Sequence, residues 1–172
     1  MLLWEKKSLQ SIWLQRFRWP SIAWGLLLVA IYYTVLFPLG EWVRRLAALP
    51  GFGAGMEHVT TFPIWYRMIA VIGAGIVEEV LFRGFSVTRI AMLTGSTRIA
   101  ALIALIGFSA LHVPGWGWGF AIGGLVPGAC AMGFFIWRKD LLSMMVFHLS
   151  TDTLGLVIVP LFSEWWKKPT LF

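Results

Sequence analysis

Apolar positions fill most of this chain in long blocks, and charges together with Pro and Gly divide them into five: residues 21–39, 64–85, 98–113, 116–137 and 141–162. A bilayer core of roughly 30 Å takes about 20 apolar residues of helix, so each block is predicted as a transmembrane helix. The third is short and stops before Pro114. The fold class is therefore all-α, a polytopic membrane helix bundle of about five transmembrane helices. Ahead of the first block, Leu9, Ile12, Trp13 and Phe17 recur at helical spacing among Lys6, Lys7, Arg16 and Arg18. That segment reads either as a helix lying in the headgroup plane or as a basic flank. The first block exceeds a signal-peptide core in length and is read as retained. Residues 40–63 form the longest connection, a lid or an interfacial loop, with His58 as a solvated loop residue. The fourth block carries Gly119-x-x-x-Gly123, Gly124-x-x-x-Gly128 and Pro127. It is expected to kink and to pack closely within the bundle, or alternatively in a homodimer.

Composition agrees with lipid as the solvent. Of 172 residues, 59% are apolar and 13% charged, where a soluble domain carries roughly 25% charged residues. Mean hydropathy is +0.79. The net charge of +6 is dispersed between apolar blocks, unlike the clustered basic face that nucleic acid requires, so no nucleic-acid partner is expected. The single cysteine, Cys130, excludes an intrachain disulfide and a cysteine zinc cluster. Basic residues of the connections set orientation. One side collects Lys6, Lys7, Arg16, Arg18, Arg89, Arg98, Arg138 and Lys139, the other Arg44, Arg45, Arg67, Lys167 and Lys168. The N-terminus is predicted on the cytoplasmic side. Trp116, Trp118, Trp165 and Trp166 mark the interfaces.

Ionisable groups within spans are expensive unless paired or facing a cavity, which makes each a functional candidate. The candidates are Glu78, Glu79, Arg83, His112, His148 and Asp152. Glu79 and Arg83, at i and i+4 with the acid first, suit a helical ion pair. Glu78 points about 100° away and meets only Leu81 and Phe82 at i+3 and i+4. A carboxylate without a cation in low dielectric is costly to keep charged, the condition under which proteins make general bases. The alternative is that both acids neutralise Arg83 and Arg89 at a helix end. His112 closes Phe108-Ser109-Ala110-Leu111-His112, just before Pro114. His148 and Asp152 again stand at i and i+4, a spacing that serves either to orient an imidazole or as interhelical hydrogen bonding. Two chemistries fit this set. Glu78 and His112 could activate a water for attack on a peptide carbonyl while His148 stabilises the oxyanion. Alternatively, Glu78, His112 and His148 could hold a zinc ion, although no His-Glu-x-x-His helix is present. A metal or proton carrier would use similar residues.

At these residues the chain resembles the CPBP family of CAAX-protease and bacteriocin-processing (Abi) intramembrane proteases. Glu78 to Arg83 fits Glu-Glu-x-x-x-Arg, Phe108 to His112 fits Phe-x-x-x-His, and His148 to Asp152 fits His-x-x-x-Asn/Asp. The resemblance covers residues 64–162. It implies a four-helix catalytic core that hydrolyses a peptide bond near the C-terminal end of a membrane-associated or exported substrate. It also implies that Glu78 and His112 activate water, that His148 and position 152 form the oxyanion site, and that Glu79, Arg83 and Phe108 support them. A metal-free glutamate mechanism ranks ahead of zinc on the same ground. A non-enzymatic bacteriocin-immunity or assembly role is the alternative within that fold. Residues 1–63 are read as an added segment and 64–172 as the catalytic bundle, with a bacterial inner membrane as the expected location. Two features depart from a simple fit. An ionised Asp152 can only accept hydrogen bonds where asparagine would donate. His112 also falls about 21 Å along its helix from Arg98, deeper than its intended partners, so the third helix is predicted to begin below the membrane surface.

Overall fold

The computed structural model describes residues 6–51 and 53–162, and the expectations for Trp165, Trp166, Lys167 and Lys168 lie outside those residues. Six helices account for most of them: α1 (Trp19–Leu46), α2 (Gly53–Thr60), α3 (residues 64–94), α4 (Thr97–Gly123), α5 (Leu125–Arg138) and α6 (Leu141–Leu161). Three, α1, α4 and α6, are long and apolar enough to cross a membrane. Helix α3 is comparably long but carries Arg67, Glu78, Glu79 and Arg83. Its inward charges and outward apolar surface invert the pattern of a soluble protein. Arg67, Glu79 and Arg83 are buried, while Trp65, Ile69, Ile72 and Val77 on the same helix are exposed, as a lipid-facing helix requires.

Local chemistry sets most of the ends. Gly95, in the left-handed region at φ 69°, closes α3. The Ser96 side chain then accepts from the Ile99 amide and opens α4. Asp140 accepts from the backbone and the hydroxyl of Ser143 and opens α6. Helix α6 packs against α1 and α3, and α4 packs against α1, α3 and α5. Three stretches are π-helical: Tyr32–Leu36 in α1, Ala74–Ser86 in α3 and Thr153–Ile158 in α6. Such segments are rare and gather at functional sites, and all three border one cavity here.

Several boundaries differ from expectation. Helix α3 does not stop at Phe85 but runs to Thr94, and this resolves the depth problem. Glu79 stands 15 positions before Thr94 and His112 stands 15 positions after Thr97, so the antiparallel pair brings them level. The turn expected beside Pro114 lies at Gly117, the non-helical residue of this stretch, beyond which Gly128 packs back against Leu105. Helix α4 continues past Pro114 with a break at Gly117, φ 79° and ψ 172°. Pro127 has no N–H to give the Gly123 carbonyl, and the helix is interrupted just before it, at Gly124 (φ -70°, ψ -16°), where a proline kink is expected. The small residues serve the bundle: a Cβ on Gly40 would strike the carbonyl of Gly123, and one on Gly128 would meet Leu105 at 2.9 Å. Residues 40–63 are no simple loop, because α1 extends to Leu46 and α2 follows, with His58 exposed on it.

The N-terminal segment is not an amphipathic helix. It forms one 3-10 turn, Leu9–Ile12, and Trp13 adopts a left-handed conformation. Ile12 is fully buried against Gly84, and the Leu141 amide donates to the Trp13 carbonyl. This strap fills a ledge, since the α5–α6 turn lies at the level of Gly84, ten positions or about 15 Å short of the α3 end. Bonds from Gln15 to the Lys139 carbonyl and from Arg89 to Ser11 gather the more basic set of residues at this end of the bundle.

Candidate active site

Four side chains predicted from three separate blocks meet around one point. The α3 carboxylates diverge. Glu79 is fully buried, and its Oε1 accepts from Arg83 Nη1 at 2.5 Å and from His148 Nδ1 at 2.7 Å. Glu78 turns the other way. Its Oε2 lies 3.9 Å from His112 Nε2 and 4.0 Å from His148 Nε2, and it is buried without a hydrogen-bond partner among the described residues. The expectation that Glu79 pairs with Arg83 and leaves Glu78 unpaired is what the structure contains.

Each imidazole is held by its other nitrogen. His112 Nδ1 lies 2.8 Å from the Phe108 carbonyl, so it donates there and leaves the Nε2 lone pair toward Glu78. His148 faces carboxylates on both sides, with Glu79 at Nδ1 and Asp152 Oδ2 3.3 Å from Nε2. That geometry is satisfied when both nitrogens carry protons. Phe108 closes the cluster: its ring lies 4.5 Å beneath the Arg83 guanidinium and packs beside both histidines. Charge inside this ring of apolar and paired groups is thereby shielded from lipid.

A cavity of about 570 Å³ reaches the cluster, lined by Glu79, Arg83, His112, His148 and Asp152 at one end and largely by aromatic and aliphatic side chains elsewhere. Glu78 Oε2 stands 3.9 to 4.0 Å from the two rings with no surface open to the cavity, so a water reaches it only as the carboxylate and the rings part slightly. The donor set was also compared with zinc. Tetrahedral ligands at 2.0–2.2 Å from zinc stand about 3.3–3.5 Å from one another, closer than these. Among the described residues no group of three His, Cys, Asp or Glu could hold a metal ion.

A family model described as type II CAAX prenyl endopeptidase Rce1-like matches residues 60–154, more than half of the chain. The chain belongs to this family. No curated protein and no solved structure gives a match. The matched stretch of this Rce1-like family member holds α3, α4, α5 and most of α6, hence Glu78, Glu79, Arg83, His112, His148 and Asp152. Membership agrees with the motif resemblance and makes the chain an integral membrane protein of the CAAX-protease type.

Two features escaped sequence reasoning. The Glu79–His148 bond joins residues 69 positions apart, and helix-internal spacing carries no trace of it. The second is the contribution of α1, outside the matched stretch. Tyr32, Tyr33 and Phe37 line the cavity, and the Tyr33 hydroxyl donates to the Thr151 carbonyl at 3.0 Å. Adjacent tyrosines in mid-span were an available signal, because a buried hydroxyl needs a partner. Arg67, counted with an outer connection, is buried and donates to the Leu156 carbonyl at 2.9 Å.

Proposed function

We propose that this protein is a metal-free intramembrane endopeptidase in which Glu78 is the general base. The observation that carries the reading is Glu78 Oε2, buried and unpartnered between the Nε2 atoms of His112 and His148. A water seated there gives its proton to Glu78 as its oxygen attacks the substrate carbonyl carbon. His112, fixed by its bond to Phe108, accepts the second hydrogen and aims the lone pair. The tetrahedral oxyanion is stabilised by the proton on His148 Nε2. Glu78 then returns its proton to the amide nitrogen, the C–N bond breaks, and a carboxylate end and an amine end are released.

Asp152 has a defined place in this scheme. Its carboxylate orients the His148 ring and compensates its charge, leaving donation to the imidazole, while Glu79 does the same from the opposite nitrogen. The apolar cavity suits a membrane-associated or lipid-anchored protein cut near its C-terminal end. The basic end of the bundle faces the cytoplasm of a bacterial inner membrane, with the N-terminus inside. The test is co-expression of tail-anchored candidate substrates with the wild type and with Glu78→Gln, which keeps size and removes the base. Loss of processing is expected; processing at the wild-type rate would overturn the mechanism.

A further inference from the structure

Away from the active site, a cleft of about 470 Å³ opens where the N-terminal strap meets the α5–α6 turn, lined by Gln10, Trp13, Gln15, Arg16, Arg18 and Lys139. Three cations share it, and among the described residues no acidic side chain is in its wall. Among the described residues none of the three has a carboxylate within ion-pair distance. Arg18 donates to the neutral Gln15 side chain at 3.3 Å and Lys139 lies over the Trp13 ring at 5.3 Å. Cations brought together without a counter-charge repel one another, so the arrangement is completed by an anion. The remaining wall is rich in donors, two amide groups and an indole N–H, and guanidinium forks match phosphate oxygens.

We propose that this cleft binds a phosphate-bearing anion, either the headgroup of an acidic phospholipid or free phosphate. Its position fits a headgroup. Phe17 and Trp19, 62% and 76% exposed, flank it where α1 begins, as aromatic anchors do at the membrane interface. The cleft is also built rather than incidental. Lys139 holds a left-handed turn at φ 50°, Gln15 grips its carbonyl at 3.0 Å, and the Trp13 carbonyl takes the Leu141 amide. Because Ile12 packs on Gly84 of α3 and Leu141 begins α6, an anion here clamps the strap onto the two helices that carry Glu78 and His148.

The experiment uses the purified full chain in neutral detergent and reads its thermal unfolding midpoint. Short-chain phosphatidylglycerol, short-chain phosphatidylcholine and inorganic phosphate are titrated separately. Phosphatidylglycerol is expected to raise the midpoint saturably and phosphatidylcholine is not. The double variant Arg16→Gln/Arg18→Gln should bind about 25-fold more weakly, roughly five-fold for each cation removed near an anionic surface, and Arg45→Gln at the opposite end should behave as wild type. If the double variant unfolds early without ligand, Lys139→Asn, tolerated at left-handed positions, takes its place. A response to phosphatidylglycerol but not to phosphate assigns the cleft to lipid; an equal, variant-sensitive response to phosphate assigns it to the free anion. Equal shifts with both lipids, or undiminished phosphatidylglycerol binding by the variants, would overturn the proposal.

Discussion

Glu78 and Glu79 are neighbours of the same chemistry, and replacing each by glutamine should produce opposite failures. Glu79 is fully buried and serves two donors through one oxygen, Arg83 Nη1 and His148 Nδ1. A glutamine carbonyl in the place of Oε1 could still accept from both, but it carries no charge, and its amide would occupy the place of Oε2, which has no partner among the described residues. The guanidinium of Arg83, 4% exposed, is then left in low dielectric without its counter-charge. Breaking a buried pair by removing one partner costs about 3–5 kcal/mol, a fall on the order of 10 °C in the unfolding midpoint at about 2–4 °C per kcal/mol. Glu78 accepts no hydrogen bond through Oε2, so Glu78→Gln removes an uncompensated charge and should leave stability within about 1 kcal/mol, since no bond is broken. Its loss appears in turnover, about 10²- to 10⁴-fold for a general base. Thermal unfolding of the purified variants in detergent and substrate processing in cells read the two quantities separately. A Glu79→Gln protein that unfolds at the wild-type midpoint would refute the buried-anchor assignment. Equal destabilisation by both variants would refute the division of roles between the two acids.

Other outcomes follow from the same geometry. Asp152→Asn keeps an acceptor for His148 Nε2 and adds an amide donor, so its processing rate should stay within about ten-fold of wild type, whereas Asp152→Ala should lose about 10²-fold as an oxyanion-site group is set loose. Gly40→Ala places a methyl group against the Gly123 carbonyl and should destabilise by about 1–3 kcal/mol, seen as an earlier unfolding midpoint with no change in the residual activity per folded molecule. Activity of the purified enzyme should survive a strong chelator, and a loss restored by added zinc would move the mechanism to the metal reading.

How far the site was legible depends on whether the deciding contact lies within one helix. Glu79 with Arg83 and His148 with Asp152 are i,i+4 pairs, so spacing alone locates them, and an apolar span makes any charge conspicuous. The Glu79–His148 bond depends on the register of α3 against α6, which no single helix encodes. The turn between the third and fourth blocks was legible as well. Pro114 and Gly115 look like a break, and the chain reverses three residues after Pro114, at Gly117; the helix runs through Pro114 itself because surrounding helices can satisfy backbone groups that a proline frees. The second interruption, at Gly124, keeps helical backbone geometry and stands three residues before Pro127. Beside it Gly123 is buried against Gly40 and Arg44 of α1, so this interruption meets neighbouring protein. The same reasoning explains the strap. Trp13 takes a left-handed conformation to deliver its carbonyl to Leu141, 128 positions away, and the helical spacing of Leu9, Ile12 and Trp13 could not reveal a partner so distant. In a bundle whose surface is largely apolar, polar residues announce the site and caps such as Gly95, Ser96 and Asp140 announce helix ends, while contacts between distant segments leave little mark on composition.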